Sequence, residues 1–281
     1  MPFDDSYRAA AFPGAARTRA SGDRSVRISA SSDAPKFRLK LRPLLIALGL
    51  TVFVVFGSGM LCVLSARLFH TALPQQSLVQ WLYLQHSVQL ALGLAAIAVL
   101  KFGFLRADFG LHWPRGRTYI GWALLGGVVF GVLMTVVDYG PQLVARRFAH
   151  ADWPPGYPVG HGDVWRWMLF SAYAGPTEEI PFRALLVTYL AATMPGTLRV
   201  GRFQVSWAGV IVAIIFALLH ASSFFNVDWA LALGQQVYAF VFSIVYAYWL
   251  EKSRSVVASM VGHGLSDLVE NVIVFACMGL L

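Results

Sequence analysis

Long apolar segments alternate with short polar connections from residue 43 to residue 280. An α-helix needs about 20 consecutive apolar residues to cross the hydrocarbon core of a bilayer, and these segments are of about that length. Pro and Gly residues mark several of the connections. The pattern predicts an all-α fold, a polytopic transmembrane helical bundle of about seven helices. We place the helices near residues 43–66, 79–101, 119–140, 164–191, 205–222, 228–250 and 255–280.

The first 40 residues differ from the rest of the chain. They are rich in Ser, Ala and Arg and show no sustained apolar periodicity. Such a segment cannot bury enough apolar surface to fold, so we expect a disordered basic cytoplasmic tail over residues 1–40 and a transmembrane domain over residues 41–281. The first apolar run begins near Leu44 and is too long for the apolar core of a cleaved signal peptide.

The overall composition supports a membrane protein. Hydrophobic residues make up 57% of the chain, charged residues only 13%, and the mean hydropathy is +0.62, whereas soluble domains carry about 25% charged residues. The net charge of +8 lies largely in the first 42 residues. In a membrane protein this placement predicts contact of the tail with anionic lipid and no binding to nucleic acid.

The basic residues also predict an orientation. Most of them lie in every second connection: the N-terminal tail, the 101–118 loop, the 192–204 loop and the 251–254 turn. Basic connections stay on the cytoplasmic side of a membrane. We therefore expect a cytoplasmic N-terminus and an external C-terminus in the inner membrane of a bacterial-type cell.

One apolar segment contains a cluster of charges. Its residues 175–183 read Gly-Pro-Thr-Glu-Glu-Ile-Pro-Phe-Arg, and a charged side chain at mid-membrane costs roughly 2.5 to 3.5 kcal/mol on insertion scales. Glu179 and Arg183 are four residues apart, a spacing that predicts an ion pair on one helix face. Glu178 points about 100° away from Glu179, since a helix turns by that angle per residue. Its carboxylate is therefore outside the ion pair and is available for another role. The alternative is a buried ionic cluster that only fixes packing, and Pro176 is expected to break or kink the helix.

Two histidines lie in later apolar segments. His220 closes the run Phe-Ala-Leu-Leu-His, and His263 is followed by Asp267 and Asn271 at helical spacing, so these three share a face. Glycines on both sides of His263 allow a neighbouring helix or a ligand to approach closely. His220 alone is more typical of a hydrogen-bonded packing residue than of a catalytic one, whereas the polar face of His263 fits interhelical hydrogen bonding and a functional site equally well.

Taken together, these residues form the parts of a hydrolytic site. A carboxylate and a histidine can activate water, which suits Glu178 with one of the histidines. A second histidine and a neighbouring hydrogen-bond donor can stabilise the oxyanion that develops in the transition state.

The three motifs resemble those of a known family. Glu178-Glu179-x-x-x-Arg183, Phe216-x-x-x-His220 and His263-x-x-x-Asp267 occur in this order on successive segments, as in the CPBP family of CAAX-type intramembrane glutamic endopeptidases, which are also called Abi proteins and include the prenyl-protein endopeptidase Rce. The resemblance covers residues 164–280.

The resemblance implies a role for each motif residue. Glu178 would activate water with His220 as its partner, and His263 with Asp267 would stabilise the oxyanion. Glu179 and Arg183 would support the structure.

The chain departs from the pattern of that family at two places. The first motif often continues Phe-Arg-Gly in relatives, whereas here Pro181 lies inside it and Ala184 follows the arginine. The last position is often Asn and is Asp267 here. An ionised aspartate would repel an oxyanion, so Asp267 must be protonated or His263 must act without it. Asn271, one turn on, is a possible substitute donor.

Three functions remain open from the sequence. The first is an intramembrane endopeptidase that uses no metal or other cofactor and cleaves a hydrophobic or lipidated peptide. The second is a zinc-dependent hydrolase with Glu178, His220 and His263 as ligands, although they lie on separate segments and no His-Glu-x-x-His helix is present. The third is a non-catalytic membrane protein with a bacteriocin-immunity or scaffold role.

Overall fold

The computed structural model describes residues 38–68, 78–116, 118–149, 163–201 and 203–281. Within these ranges the chain forms seven helices and a two-stranded antiparallel hairpin, so the predicted all-α bundle is confirmed. Almost all of the predicted tail lies outside the described residues, and its disorder stays a prediction. The helices are α1 (Leu41–Leu68), α2 (Leu78–Gly103), α3 (Thr118–Ala149), α4 (residues 164–193), α5 (Trp207–Leu219), α6 (Trp229–Ser253) and α7 (Val257–Met278), and the strands are β1 (Thr197–Val200) and β2 (Phe203–Ser206).

Every predicted segment overlaps one of these helices, and apart from the end of α3 the boundaries differ by three residues or fewer. Helix α3 runs through Pro141 to Ala149, nine residues beyond the predicted end. The hairpin occupies the residues before Trp207, so α5 begins two residues later than predicted, with the Ser206 hydroxyl accepting from the Gly209 N–H as its N-cap.

The C-terminal half of helix α4, which carries the charged cluster, is enclosed by the other helices. By length and composition, six helices of the described chain can cross a membrane, and α4, which carries the charged cluster, is not one of them. All eight residues from Ile180 to Val187 are buried. The charges of α4 therefore lie inside the protein, where partners can neutralise them.

The backbone of α4 continues through its prolines. The expected break at Pro176 is absent, because the α-helix runs from Val164 to Glu179 and then widens to π-helical geometry over Ile180–Val187. Pro181 has no N–H to donate to the Thr177 carbonyl one turn earlier. The side chain of Gln89 on α2 supplies the missing donor, with its Nε2 3.2 Å from that oxygen.

Glycines bring α4 into backbone contact with α7. A Cβ atom at Gly264 would lie 2.5 Å from the Ala172 carbonyl oxygen, and one at Gly175 would collide with the Met260 carbonyl. This confirms the predicted close approach of a neighbouring helix at Gly264. The crossing places the adjacent glutamates of α4 beside His263 of α7.

Candidate active site

The predicted site residues converge on one cavity. Its volume is about 290 Å³, and its walls come from α3, α4, α5, α6 and α7. Five of the predicted residues line it: Glu178, His220, His263, Asp267 and Asn271. The other two, Glu179 and Arg183, are fully buried behind that wall.

Glu179 holds two partners at once. Its Oε2 lies 3.1 Å from Arg183 Nε, as the spacing predicted, and its Oε1 lies 2.7 Å from His263 Nδ1. A carboxylate oxygen without a proton only accepts, so Nδ1–H of His263 donates. The second ring nitrogen, Nε2, is then the one on the side of Glu178 and Asp267. Glu179 therefore orients a cavity histidine as well as pairing with Arg183.

Arg183 is stabilised mainly by charge and by aromatic rings. Its side chain has no exposed surface, and none of its three guanidinium nitrogens has a well-aligned hydrogen-bond partner among the described residues. Its guanidinium carbon lies 4.5 Å from the Phe216 ring centroid and 5.5 Å from that of Tyr246. Cation–π contact and the nearby Glu179 carboxylate together compensate for its burial.

His263 is fixed on three sides. Its ring stacks on Tyr246, with centroids 5.3 Å apart and planes 16° apart. Its Nε2 lies 3.6 Å from Asp267 Oδ2 and 3.9 Å from Glu178 Oε2. Together with Glu179, this imidazole is in contact with three carboxyl groups.

His220 lies where α5 ends and a 3-10 turn begins. Its Nδ1 is 2.9 Å from the Phe216 carbonyl oxygen. Because a carbonyl can only accept, the proton of the neutral ring is on Nδ1 and its Nε2 carries a lone pair. His220 is thus held in the tautomer that a general base requires.

Asp267 and Asn271 form the predicted polar ladder with His263. Asn271 Nδ2 lies 3.0 Å from Ser171 Oγ and 2.9 Å from the Asp267 carbonyl oxygen. An amide nitrogen has two hydrogens, and these two contacts engage both of them. The amide of Asn271 therefore has no hydrogen left for an oxyanion in this arrangement.

The sequence reasoning missed His86 on α2. Its Nε2 lies 3.9 Å from Glu178 Oε1, so Glu178 is flanked by two imidazoles, those of His86 and His263. The signal in the sequence was the run Gln85-His86-Ser87 with Gln89, four polar residues that interrupt an apolar segment. A buried pair was missed as well: Tyr238 Oη donates to Asp138 Oδ2 at 2.7 Å on the cavity wall.

No group of three or more His, Cys, Asp or Glu side chains among the described residues is arranged to hold a metal ion. The three proposed zinc ligands share the cavity, but Nδ1 of His263 and Nδ1 of His220 are both engaged by the protein. Only Nε2 of each ring could serve as a ligand.

Comparison with known proteins gives one match. Residues 160–269 match the family model described as Rce1-like, type II CAAX prenyl endopeptidase Rce1-like. No curated protein and no solved structure matches the chain. The matched region runs from the start of α4 into α7 and contains the three motifs, and its family is one of CAAX-type intramembrane proteases. With six helices of its described residues able to cross a bilayer, the chain is an integral membrane protein whose residues 160–269 are similar to the Rce1-like family.

Proposed function

We propose that this protein is an intramembrane endopeptidase in which Glu178 and His220 activate water for hydrolysis of a peptide bond. One observation carries the proposal: Glu178, His220 and His263, from three different helices, line the same cavity inside the membrane domain. Ionisable groups inside a membrane domain are energetically costly and typically mark a functional site.

His220 and Glu178 divide the task of activating water. The neutral His220 ring offers a lone pair at Nε2, because its Nδ1–H is engaged by the Phe216 carbonyl. The Glu178 carboxylate accepts the proton of the attacking water, and His220 holds that water by accepting its second hydrogen. Proton transfer to a positioned group typically contributes 10² to 10⁴ in rate.

His263 stabilises the oxyanion. Its Nδ1–H is anchored on Glu179 at 2.7 Å, so an N–H on its Nε2 points to the side of Asp267 and Glu178. A carboxylate on one ring nitrogen supports positive charge on the imidazole while the other nitrogen donates. Asp267 assists as a second donor only in its protonated form, because an ionised carboxylate would oppose the negative charge on the oxyanion.

The substrate is a hydrophobic or lipidated peptide. The cavity wall includes the aromatic rings of Trp167, Phe170 and Phe242 beside the polar groups, and such surfaces hold apolar chains in orientation. The protein acts in the inner membrane of a bacterial-type cell, with its N-terminus in the cytoplasm and its basic tail on anionic lipid.

Catalysis uses no metal or other cofactor. The water is activated by a carboxylate and an imidazole, which are sufficient for general base chemistry. In the zinc alternative, a strong chelator abolishes the cleavage activity and added Zn²⁺ restores it. Unchanged cleavage after chelation supports the glutamic mechanism.

The proposal is tested with purified protein in proteoliposomes, using a farnesylated CAAX peptide and the same peptide without the lipid. We expect the wild type to cleave the farnesylated peptide and Glu178→Gln to lose at least about a hundredfold in kcat. Glu251→Gln is the matched control, since Glu251 is a half-buried carboxylate outside the cavity that accepts from the Ser206 N–H. Wild-type cleavage by both Glu178→Gln and His220→Gln, with folding intact, would support the immunity or scaffold role instead.

A further inference from the structure

We propose that His86 is a positioning residue of this site, which holds Glu178 from helix α2 and shares a proton with its carboxyl group. The proposal rests on the proposed function and extends the site beyond the matched region, because α2 ends at Gly103. The side chain of His86 is 14% exposed, and that of Glu178 is 19% exposed. Both groups are therefore largely shielded from water, where polar atoms depend on other protein groups for partners.

The hydrogen bond from His86 to Thr177 determines the tautomer of the imidazole. Its Nδ1 lies 3.0 Å from the Thr177 hydroxyl oxygen. That hydroxyl lies 3.0 Å from the Tyr173 carbonyl oxygen and 3.1 Å from that of Ala174. Carbonyls only accept, so the hydroxyl hydrogen goes to them and the hydroxyl oxygen accepts from His86 Nδ1–H. The Nε2 of neutral His86 therefore presents a lone pair on the side of Glu178.

Nε2 of His86 and Oε1 of Glu178 are close enough to share a proton, directly or through a water molecule. A lone pair and an ionised oxygen repel each other, so the 3.9 Å between them is favourable only when one proton belongs to the pair. The acid form of Glu178 donates to neutral His86, and the ionised form accepts from the protonated ring. A bridging water or a small turn of the carboxyl closes the distance. The proton that Glu178 takes from the attacking water then becomes the one proton of the pair, so neutral His86 stabilises the acid form of Glu178 that water activation produces.

The imidazole ring of His86 is held in place by its neighbours. Phe170 contacts the His86 ring edge to face, with centroids 4.9 Å apart. One turn along α2, Gln89 donates to the Thr177 carbonyl, so α2 binds both the hydroxyl and the backbone of the residue before Glu178. The titratable groups that face His86 are Glu178 on α4 and His263 on α7. Because Glu178 lies between the two rings, its two oxygens face different histidines.

Two amide variants separate anchoring from proton sharing. The amide of His86→Asn reaches the position of Nδ1 and keeps the bond to Thr177, but it leaves nothing beside Glu178. The amide of His86→Gln reaches the position of Nε2 and keeps a polar partner for Glu178 that cannot titrate. Both are assayed in proteoliposomes with the farnesylated CAAX peptide, across about pH 5 to 9, where a histidine partner changes charge.

We expect His86→Asn to lower kcat roughly tenfold to a hundredfold, at or below the smaller effects of positioned acids and bases, with KM changed less than about twofold. His86→Gln should recover part of kcat but lose one limb of the pH profile, because its amide cannot share a proton. Ser87→Ala is the matched control: it removes another α2–α4 hydrogen bond, to the Tyr173 hydroxyl, and should leave kcat and the pH profile unchanged.

The possible outcomes distinguish this proposal from the proposed function. If Glu178→Gln is inactive and His86→Asn keeps the wild-type kcat and pH profile, the proposal about His86 is overturned and the peptidase stands. It is also overturned if His86→Asn and Ser87→Ala lower kcat equally without changing the pH profile, since that result shows only a loss of packing. A wild type that cleaves no peptide overturns the proposed function and the role of His86 with it.

Discussion

A single methyl group at Gly264 should disable the site while leaving the protein folded. A Cβ atom there would lie 2.5 Å from the Ala172 carbonyl oxygen, whereas ordinary contact begins near 3.4 Å. The oxygen belongs to the backbone of α4 and cannot rotate away, so α4 and α7 must separate by about 0.9 Å. The neighbouring bond from His263 to Glu179 is 2.7 Å long, and the same displacement would stretch it to roughly 3.6 Å, beyond hydrogen-bonding range.

The two energetic effects of Gly264→Ala differ in size. Overpacking a tight contact costs about 1 to 3 kcal/mol, and replacing Gly by Ala within a helix recovers about 1 kcal/mol. These two terms leave a net loss of stability of about 1 kcal/mol, to which the lost hydrogen bond between His263 and Glu179 adds. A hydrogen bond to a charged group contributes roughly 1.5 to 3 kcal/mol, so kcat should fall by about 10- to 100-fold when His263 loses its anchor.

The assay combines cleavage of the farnesylated CAAX peptide in proteoliposomes with thermal unfolding of the same preparation. Gly49→Ala is the matched control, because no atom lies within 4 Å of a Cβ built at Gly49 in α1. It should leave kcat unchanged. Normal kcat in Gly264→Ala, or a decrease no larger than the unfolded fraction explains, would refute the reasoning.

Three further predictions follow from the contacts described above. Glu179→Gln should lower the free energy of unfolding by about 3 to 5 kcal/mol, measured by denaturation, because it leaves the buried Arg183 charge without its counter-charge; Met at both positions should restore much of it. Asp267→Asn should raise kcat at neutral pH, since an amide donates to an oxyanion without first being protonated; a lower kcat would show that the Asp267 proton is itself used. Hydrogen bonds to a backbone carbonyl and to Asp108 raise the pKa of His112 in the α2–α3 connection. The ion pair between His112 and Asp108 therefore contributes fully to stability below the ordinary histidine pKa, and this contribution is lost as pH rises through the raised pKa of His112. NMR titration should show a lower His112 pKa in Asp108→Asn.

The sequence predicted the parts of the molecule that depend on local pattern. Apolar length located seven helices, and the Glu179–Arg183 pair followed from a four-residue spacing on one helix. The ladder from His263 to Asn271 followed from the same periodicity.

The contacts between helices could not be predicted in this way. His86 is a single histidine in an apolar segment, and its distance to Glu178 depends on how α2 crosses α4, where Gly93 packs against Pro181. The bond from Glu179 to His263 likewise depends on the crossing at Gly264. No periodicity in a single sequence encodes these crossing angles.

Pro181, which lies inside the first motif, has a consequence for the order of membrane insertion. An unsatisfied carbonyl in hydrocarbon costs several kcal/mol, and Gln89 of α2 donates to the Thr177 carbonyl, which the Pro181 nitrogen cannot serve. Helix α4 therefore leaves the translocon at lower cost when α2 is already inserted beside it. Synthesis from the N-terminus produces α2 before α4. A fragment that starts at residue 160 would insert α4 without this partner, so co-expression with a separate α1–α2 fragment should rescue its accumulation.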